Sequence, residues 1–480
     1  MYFRTCFGFW VIYHSTVRCS TPARLWQVRA RVYLYKSRFE AKTRMNPNPK
    51  YSNMIQYLGI PSAQSEYGKI SLGMSLPPLP SELWLEIFRF ATTTPNLIFL
   101  HATTYHPFQV VPPDKSYKYP KTEFSFRVKA AISLVCRRWN ELARDLLYED
   151  IVIPEVPRIG DMKHQLIGNE ANHSIDIEDD TDASRPRYRV QRILLPFTST
   201  TTRVKTTNIS DVNAIIQHYS STLIALYRPN FSINYVRGRM IIYEFPAGDC
   251  PPLPSLKRLD WWHSDEASRT GGINSLTHVL RVSPNIQYLS LGGHSASMFM
   301  EDGAVALPDL TTLRLQTMSM TFMFHLHKWH LPSLRNLVLD NIRLTYTFSI
   351  MEGFWDVFGA QLRTVEFGRY LTYLLDPTTI QRILNGCPNL EEFSYYSKFT
   401  LKPLPPDEPH MSLAVVRMNL EDLEMQMENS LESHLIAWCA YGYPNLRRIL
   451  LYGSEDLESG SVGEAVKKLR TRGCEVSLIP

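Results

Sequence analysis

A single six-residue pattern, apolar at its first, fourth and sixth positions, constrains the fold of this chain more than anything else in it. It reads Leu256-Lys-Arg-Leu259-Asp-Trp261, Ile286-Gln-Tyr-Leu289-Ser-Leu291, Leu310-Thr-Thr-Leu313-Arg-Leu315 and Leu334-Arg-Asn-Leu337-Val-Leu339. Four further copies are Leu362-Arg-Thr-Val365-Glu-Phe367, Leu390-Glu-Glu-Phe393-Ser-Tyr395, Leu420-Glu-Asp-Leu423-Glu-Met425 and Leu446-Arg-Arg-Ile449-Leu-Leu451. Successive copies start 24 to 30 residues apart, and two weaker ones at Val190 and Leu223 precede them at intervals of 33. Apolar residues two apart mark a strand that buries one face. Six copies follow a proline and a small polar residue: Pro254-Ser255, Pro284-Asn285, Pro308-Asp309, Pro332-Ser333, Pro388-Asn389 and Pro444-Asn445. Proline ends the helix before it and sets the turn into the strand. Helical periodicity precedes some of them, at 275–282, 351–358, 378–384 and 433–441. The unit is therefore helix, turn, strand. One unit cannot bury its strand alone, whereas a stack of them makes a continuous core, which 464–470 and 475–479 close with a last helix and strand.

This spacing overlaps or slightly exceeds the period of about 20–29 residues found in leucine-rich repeats. The expected fold is α/β, a degenerate leucine-rich-repeat solenoid over 188–480. The asparagine of regular repeats is missing three residues past the strand, where His294, Met318, Ile342, Tyr370 and Lys398 stand. Residues alternating with the inward leucines should line a concave face that binds a protein target. The candidates are Arg258, Trp262, Tyr288, Arg314 and Gln316 early, then Glu366, Glu392, Tyr396, Asp422, Glu424 and Gln426. The later set is acidic, which predicts a basic partner segment.

Composition narrows the function. With 44% hydrophobic and 20% charged residues in 480, the chain has enough apolar material for a folded core. Its 32 prolines against 22 glycines point to many abruptly ended elements and exclude a long coiled coil. The net charge of +5 is misleading, because residues 1–50 hold ten Lys and Arg against the single acid Glu40. The basic character belongs to an arm and not to the fold, so nucleic acid is not an expected partner. Residues 1–74 are read as a basic, disordered leader outside the fold, and the apolar run 6–13 is too short to span a membrane. Seven scattered cysteines without a C-x-x-C pair predict free thiols in a reducing compartment, cytoplasmic or nuclear.

No catalytic motif, cofactor fingerprint or metal set emerges. His325, His327 and His330 have no cysteine or carboxylate among them. The acidic cluster Asp176, Glu178, Asp179, Asp180 and Asp182 lacks the glycine and terminal glutamate of a calcium loop, so 151–187 is read as a strand and an acidic loop. Cys136 lies beside Arg137 and Arg138 on a helical stripe, which predicts a buried, inert thiol. The chain is not expected to be an enzyme.

The segment 75–150 carries a second signature. Ser81 is placed to cap a helix with Leu83, Ile87 and Phe90 on one face. A second helix over 129–147 aligns Ile132, Val135, Cys136, Trp139 and Leu142. Between them 92–128 contains five prolines and reads as a long loop, a length usually kept for function. Leu79-Pro80-Ser-Glu82-Leu83-Trp-Leu-Glu-Ile87-Phe88 and Val135-Cys136-Arg137-Arg-Trp139 resemble the two conserved segments of an F-box, here 46 residues apart instead of closely spaced. A small all-α F-box motif ahead of degenerate repeats is similar to the F-box/leucine-rich-repeat receptors, and the long insert resembles the expanded set of mushroom-forming fungi.

That resemblance implies a substrate-recognition subunit of a cullin-RING, SCF-type ubiquitin ligase. A Skp-type adaptor, and through it a cullin scaffold, would dock on Leu79, Pro80, Leu83, Ile87, Phe88, Val135 and Trp139. Leu83, Ile87, Phe88, Val135 and Trp139 are also expected to pack the two helices together. The alternative is a non-enzymatic leucine-rich-repeat interaction scaffold without ligase association, its first helices serving as a cap.

Overall fold

The computed structural model describes residues 79–92, 103–109, 120–152, 159–168, 188–195, 210–228, 250–261, 276–292, 305–316, 320–340, 348–368, 377–397, 402–420, 431–440, 442–453, 457–458 and 460–479. The expected leader and the acidic cluster at 176–182 lie outside them. The chain divides into two compact units, 1–94 with 122–144 and 95–121 with 145–480.

The first unit is helical: α1 (Ser81–Thr92), α2 (Pro120–Ser133) and α3 (Arg137–Tyr148), whose last residues belong to the second unit. Helix α2 begins inside the stretch expected to be loop, with Pro120 at its first position, where a missing N–H costs nothing. The single helix expected over 129–147 is in fact two. The Leu134 and Val135 N–H groups donate to the carbonyls of Ala131 and Ile132, each at 3.2 Å, closing α2 with a tight turn. Cys136 then caps α3: its carbonyl accepts from the Asn140 N–H at 2.9 Å and its sulfur from the Trp139 N–H at 3.4 Å. Cys136 is consequently exposed, not buried as expected, because a cap residue stands outside the helical stripe.

The inner face of α1 also differs from expectation. Trp84, Phe88 and Trp139 form an aromatic triangle with centroids 4.8 to 5.7 Å apart. Leu83, Ile87 and Phe90 remain exposed. The packing expected of Leu83, Ile87 and Val135 is therefore supplied by Trp84 together with Phe88 and Trp139, whose larger rings bury more area per contact.

The second unit is built on one twelve-stranded sheet in which every strand pairs in parallel with its neighbours in chain order. The strands are β1 (Asp150–Val152), β2 (Arg192–Leu194), β3 (Ala225–Arg228), β4 (Arg258–Trp261), β5 (Tyr288–Leu291) and β6 (Thr312–Gln316). They continue as β7 (Asn336–Asp340), β8 (Thr364–Phe367), β9 (Glu392–Tyr396), β10 (Val415–Asn419), β11 (Arg448–Tyr452) and β12 (Glu475–Ile479). Helices join them: α4 (Ile159–Lys163), α5 (Ser210–His218), α6 (Leu276–Arg281), α7 (Met320–Leu326), α8 (Phe348–Phe358), α9 (Pro377–Gly386), α10 (Leu431–Trp438) and α11 (Gly460–Thr471). A mixed α/β solenoid with a consecutive parallel sheet results, as the repeat pattern predicts.

One inward row holds the stack together. Ile151, Ile193, Leu226, Leu259, Leu289, Leu313, Leu337, Val365, Phe393, Val416, Ile449 and Val476 are in register across all twelve strands and all are buried. The array begins earlier than expected, at β1. The stretch expected to be an acidic loop contains α4, which runs on through a π-helical turn to Gly168 and buries Leu166.

The tenth strand is also displaced. It occupies Val415–Asn419, so Leu413, Val416 and Met418 fill the core positions expected of Leu420, Leu423 and Met425. The same apolar spacing occurs in both places; pairing with β9 and β11 takes Val415–Asn419, and a turn ahead of Leu413 leads into it. There the His410 ring meets the Cys387 carbonyl at 3.0 Å and accepts the Leu413 N–H at 3.2 Å.

The proline-asparagine pairs do more than end helices. Asn285, Asn389 and Asn445 donate their amides to the carbonyls of Pro254, Ala360 and Met411 at 2.7 to 2.8 Å, linking each turn to the one before. These bonds are exposed, so they should contribute less than the buried row. Leu289→Ala is expected to lower the unfolding free energy by about 2–5 kcal/mol and Asn389→Ala by about 0.5–1 kcal/mol, as read from urea denaturation.

Candidate functional site

Side chains that alternate with the inward row stand on the opposite strand face, and there the sequence places charge. The parallel register aligns Arg314, Val338, Glu366, Ser394 and Arg417 in one line across β6 to β10. Arg258, Asp260, Arg314, Asp340 and Glu366 are each at most 3% exposed, far from the solvated strand face that a polar composition suggests.

Buried charges require partners, and these have them. Arg258 Nε donates to Asp260 Oδ2 at 3.0 Å, with its guanidinium carbon 4.2 Å from the Tyr288 ring centroid. Arg314 Nε donates to Asp340 Oδ2 on the next strand. Arg417 grips Glu392 with both arms, at 2.7 and 3.0 Å, and donates to the Tyr452 hydroxyl at 2.8 Å. Burial by itself would loosen the Arg258 and Arg314 protons, but Asp260 and Asp340 more than offset it, and both guanidinium groups are held above their ordinary range.

Glu366 is the carboxylate without an arginine of its own. It takes its hydrogen bonds from Thr103–Gln109, a piece of the long insert that belongs to the second unit. The Tyr105 hydroxyl donates to Glu366 Oε2 at 2.7 Å and the Phe108 N–H donates to the same oxygen at 2.9 Å. The Phe108 ring meets Tyr396 and Tyr452 edge-on, at 5.1 and 5.0 Å, across the Asn419 position between them. Its backbone is left-handed, with φ of 54°, a conformation that costs a non-glycine residue roughly 1–2 kcal/mol. Gln109 completes the attachment: its carbonyl accepts from Arg314 Nη1 at 2.7 Å and its side-chain oxygen from the Tyr288 hydroxyl at 3.3 Å.

Burial pushes the Glu366 carboxyl up to about 7, against the opposing pull of Arg314, the Phe108 N–H and the Tyr105 hydroxyl. Burial likewise raises the Tyr105 phenol well above its ordinary range, with Glu366 and Glu392 adding to the effect.

Of the expected face residues, Arg258, Tyr288, Arg314, Glu366, Glu392 and Tyr396 stand on strands in this constellation. Trp262, Asp422, Glu424 and Gln426 lie outside the described residues, and β10 ends at Asn419. On β9 and β10 the expected acidic residue Glu392 is paired with Arg417. Sequence reasoning missed Asp260, Asp340, Arg417, Tyr452 and the whole segment Thr103–Gln109. The two aromatic residues flanking His106 and Pro107 were its one visible trace.

In the first unit, Leu79 (36% exposed), Leu83 (49%), Ile87 (42%), Val135 (46%) and Pro80 reach the surface, joined by Phe90 (62%) and Leu134 (83%). Phe88 is buried and Trp139 is partly buried against it. Among the described residues, no group of three or more His, Cys, Asp or Glu is placed to hold a metal ion, and no helix is long and apolar enough to cross a membrane.

No protein-family model matches the chain, and no curated protein matches it. Among solved structures it is similar to the leucine-rich repeat-containing protein LegL7 from Legionella pneumophila, at 14% identity and a TM-score of 0.28, over 58% of this chain and 98% of that one.

Two outcomes follow from the buried charges. A Cβ on Gly368 would come within 1.5 Å of Asp340 Oδ1. Gly368→Ala should therefore force Asp340 away from Arg314, lowering the unfolding free energy in urea by about 3–5 kcal/mol. Because Glu366 sits above its unfolded value of 4.5, the native state binds the extra proton. Its contribution is fully present below about 4.5 and is lost as the pH rises through about 7. Between pH 5 and pH 8 the wild type should lose stability relative to Glu366→Gln, by on the order of 3 kcal/mol, measured by denaturant unfolding at each pH.

Proposed function

We propose that this chain is the substrate-recognition subunit of a cullin-RING, SCF-type ubiquitin ligase. In this reading the helical unit docks on a Skp-type adaptor and the strand face of the solenoid holds the protein target. The observation that carries it is the apolar surface of the first unit. The F-box-like residues Leu79, Pro80, Leu83, Ile87 and Val135 stand exposed, while Trp84, Phe88 and Trp139 hold the helices together beneath them. Exposed leucine and isoleucine one helical turn apart are the anchors of a helix-in-groove interface, in which a partner removes apolar side chains from water. Phe88 and Trp139 then act as supports for that surface and not as contacts.

The same reading divides the labour between the two units. The second unit presents a parallel strand face with paired charges and aromatic rings, a surface suited to an extended protein segment. The ligase chemistry resides in partner subunits, and this chain contributes proximity, raising the local concentration of a target lysine near the transferred ubiquitin.

Co-purification of the full chain with a Skp-type adaptor tests the reading. Wild type should retain the adaptor, and Leu83→Asp/Ile87→Asp should lose at least about tenfold in affinity with unchanged thermal unfolding, since both side chains are solvent-exposed. A folded wild type that retains no adaptor leaves the interaction scaffold without ligase association as the function.

A further inference from the structure

We propose that the strand face is a recognition site for a protein segment bearing an unmodified tyrosine and a second aromatic residue three positions later, and that Thr103–Gln109 is a tethered occupant which such a segment must displace. The inference rests on the reading that this face binds the target, and it specifies what the face selects.

The segment and the strand face are matched group for group. The groups that hold the segment are spread over the sheet: Glu366 of β8 takes the tyrosine hydroxyl and a main-chain N–H, Ser394 of β9 meets the same hydroxyl at 3.4 Å, Tyr396 of β9 and Tyr452 of β11 flank the aromatic ring, and Arg314 of β6 takes a main-chain carbonyl. Tyr288 of β5 adds a carboxamide contact. Main-chain donors and acceptors are common to all segments, so specificity falls to the phenol over Glu366 and to the ring between the two tyrosines. A phosphate on the phenol would set two negative charges against Glu366, which excludes a phosphotyrosine ligand. The left-handed Phe108 shows that the occupant itself is held in a conformation that it would leave if released. Because the segment is part of the chain, it competes at a high effective concentration, and any outside ligand binds more weakly than the site alone would allow.

The probe is a fluorescein-labelled heptapeptide of the 103–109 sequence, Thr-Thr-Tyr-His-Pro-Phe-Gln, titrated into the full chain by fluorescence anisotropy. Tyr105→Ala/Phe108→Ala within the chain should bind it at least about tenfold tighter than wild type. The phosphotyrosine form and a form with alanine for tyrosine should fail to bind. Equal affinity for wild type and double variant, or no binding to a folded double variant, overturns the proposal. Hydrogen exchange on the wild type decides if the variant does not fold: saturating peptide should speed exchange of the Phe108 N–H, and unchanged exchange overturns the proposal. Adaptor co-purification from the same preparations keeps the two readings apart. Lost adaptor with the peptide effect intact sinks the ligase assignment alone, and retained adaptor without a peptide effect sinks this inference alone.

Discussion

A parallel strand cannot satisfy its backbone alone, and the row running from Ile151 to Val476 is what brings twelve of them together. Each repeat contributes only about three inward side chains, as Leu310, Leu313 and Leu315 do, too little apolar area to stand by itself. Stacked in register, the same side chains become a single core, and the hydrogen bonds between neighbouring strands follow from that packing. The turns are drawn into the same order: the amides of Asn285, Asn389 and Asn445 each reach a carbonyl of an earlier turn. The ladder that regular repeats build past the strand with asparagine is here built ahead of it.

Fixing the inward row also fixes what stands on the other face. A side-chain period of two leaves no freedom: once Leu313, Leu337 and Val365 are inside, Arg314, Val338 and Glu366 are aligned outside. The arginines and carboxylates that alternate along these strands are thereby brought within bonding distance across the sheet. Covered by Thr103–Gln109, some of them lie in an environment where an unpaired charge is costly. Arg314 has Asp340 and Arg258 has Asp260, whereas Glu366 depends on the Tyr105 hydroxyl and the Phe108 N–H, and burial raises its proton affinity into the neutral range.

The helical unit shows the reverse allocation. Three large aromatic rings are enough to join α1 and α3, and the aliphatic residues that helical periodicity would assign to the interior are left at the surface. Periodicity reports which residues share a face but not whether that face meets its own chain or a partner. The break at Cys136 has a similar origin. Nothing in the 129–147 pattern forbids a continuous helix, and the chain is interrupted where a thiol and a carbonyl cap the next one.

Repeat architecture, the helix-turn-strand unit and the terminal helix and strand were all legible in the sequence, because apolar spacing and proline placement are local and recur. Most of the strand-face residues were legible too, since alternation assigns them once the leucines are placed. The register of β10 was not. Leu413, Val416 and Met418 carry the same spacing as Leu420, Leu423 and Met425, and only stacking against β9 and β11 chooses between them. Nor could the sequence show that Tyr105, Phe108 and Gln109 lie on strands some 180 to 340 residues away along the chain. Local pattern determines which side chains a repeat presents; what covers them depends on long-range hydrogen bonds and ring contacts that exist only after the sheet has formed.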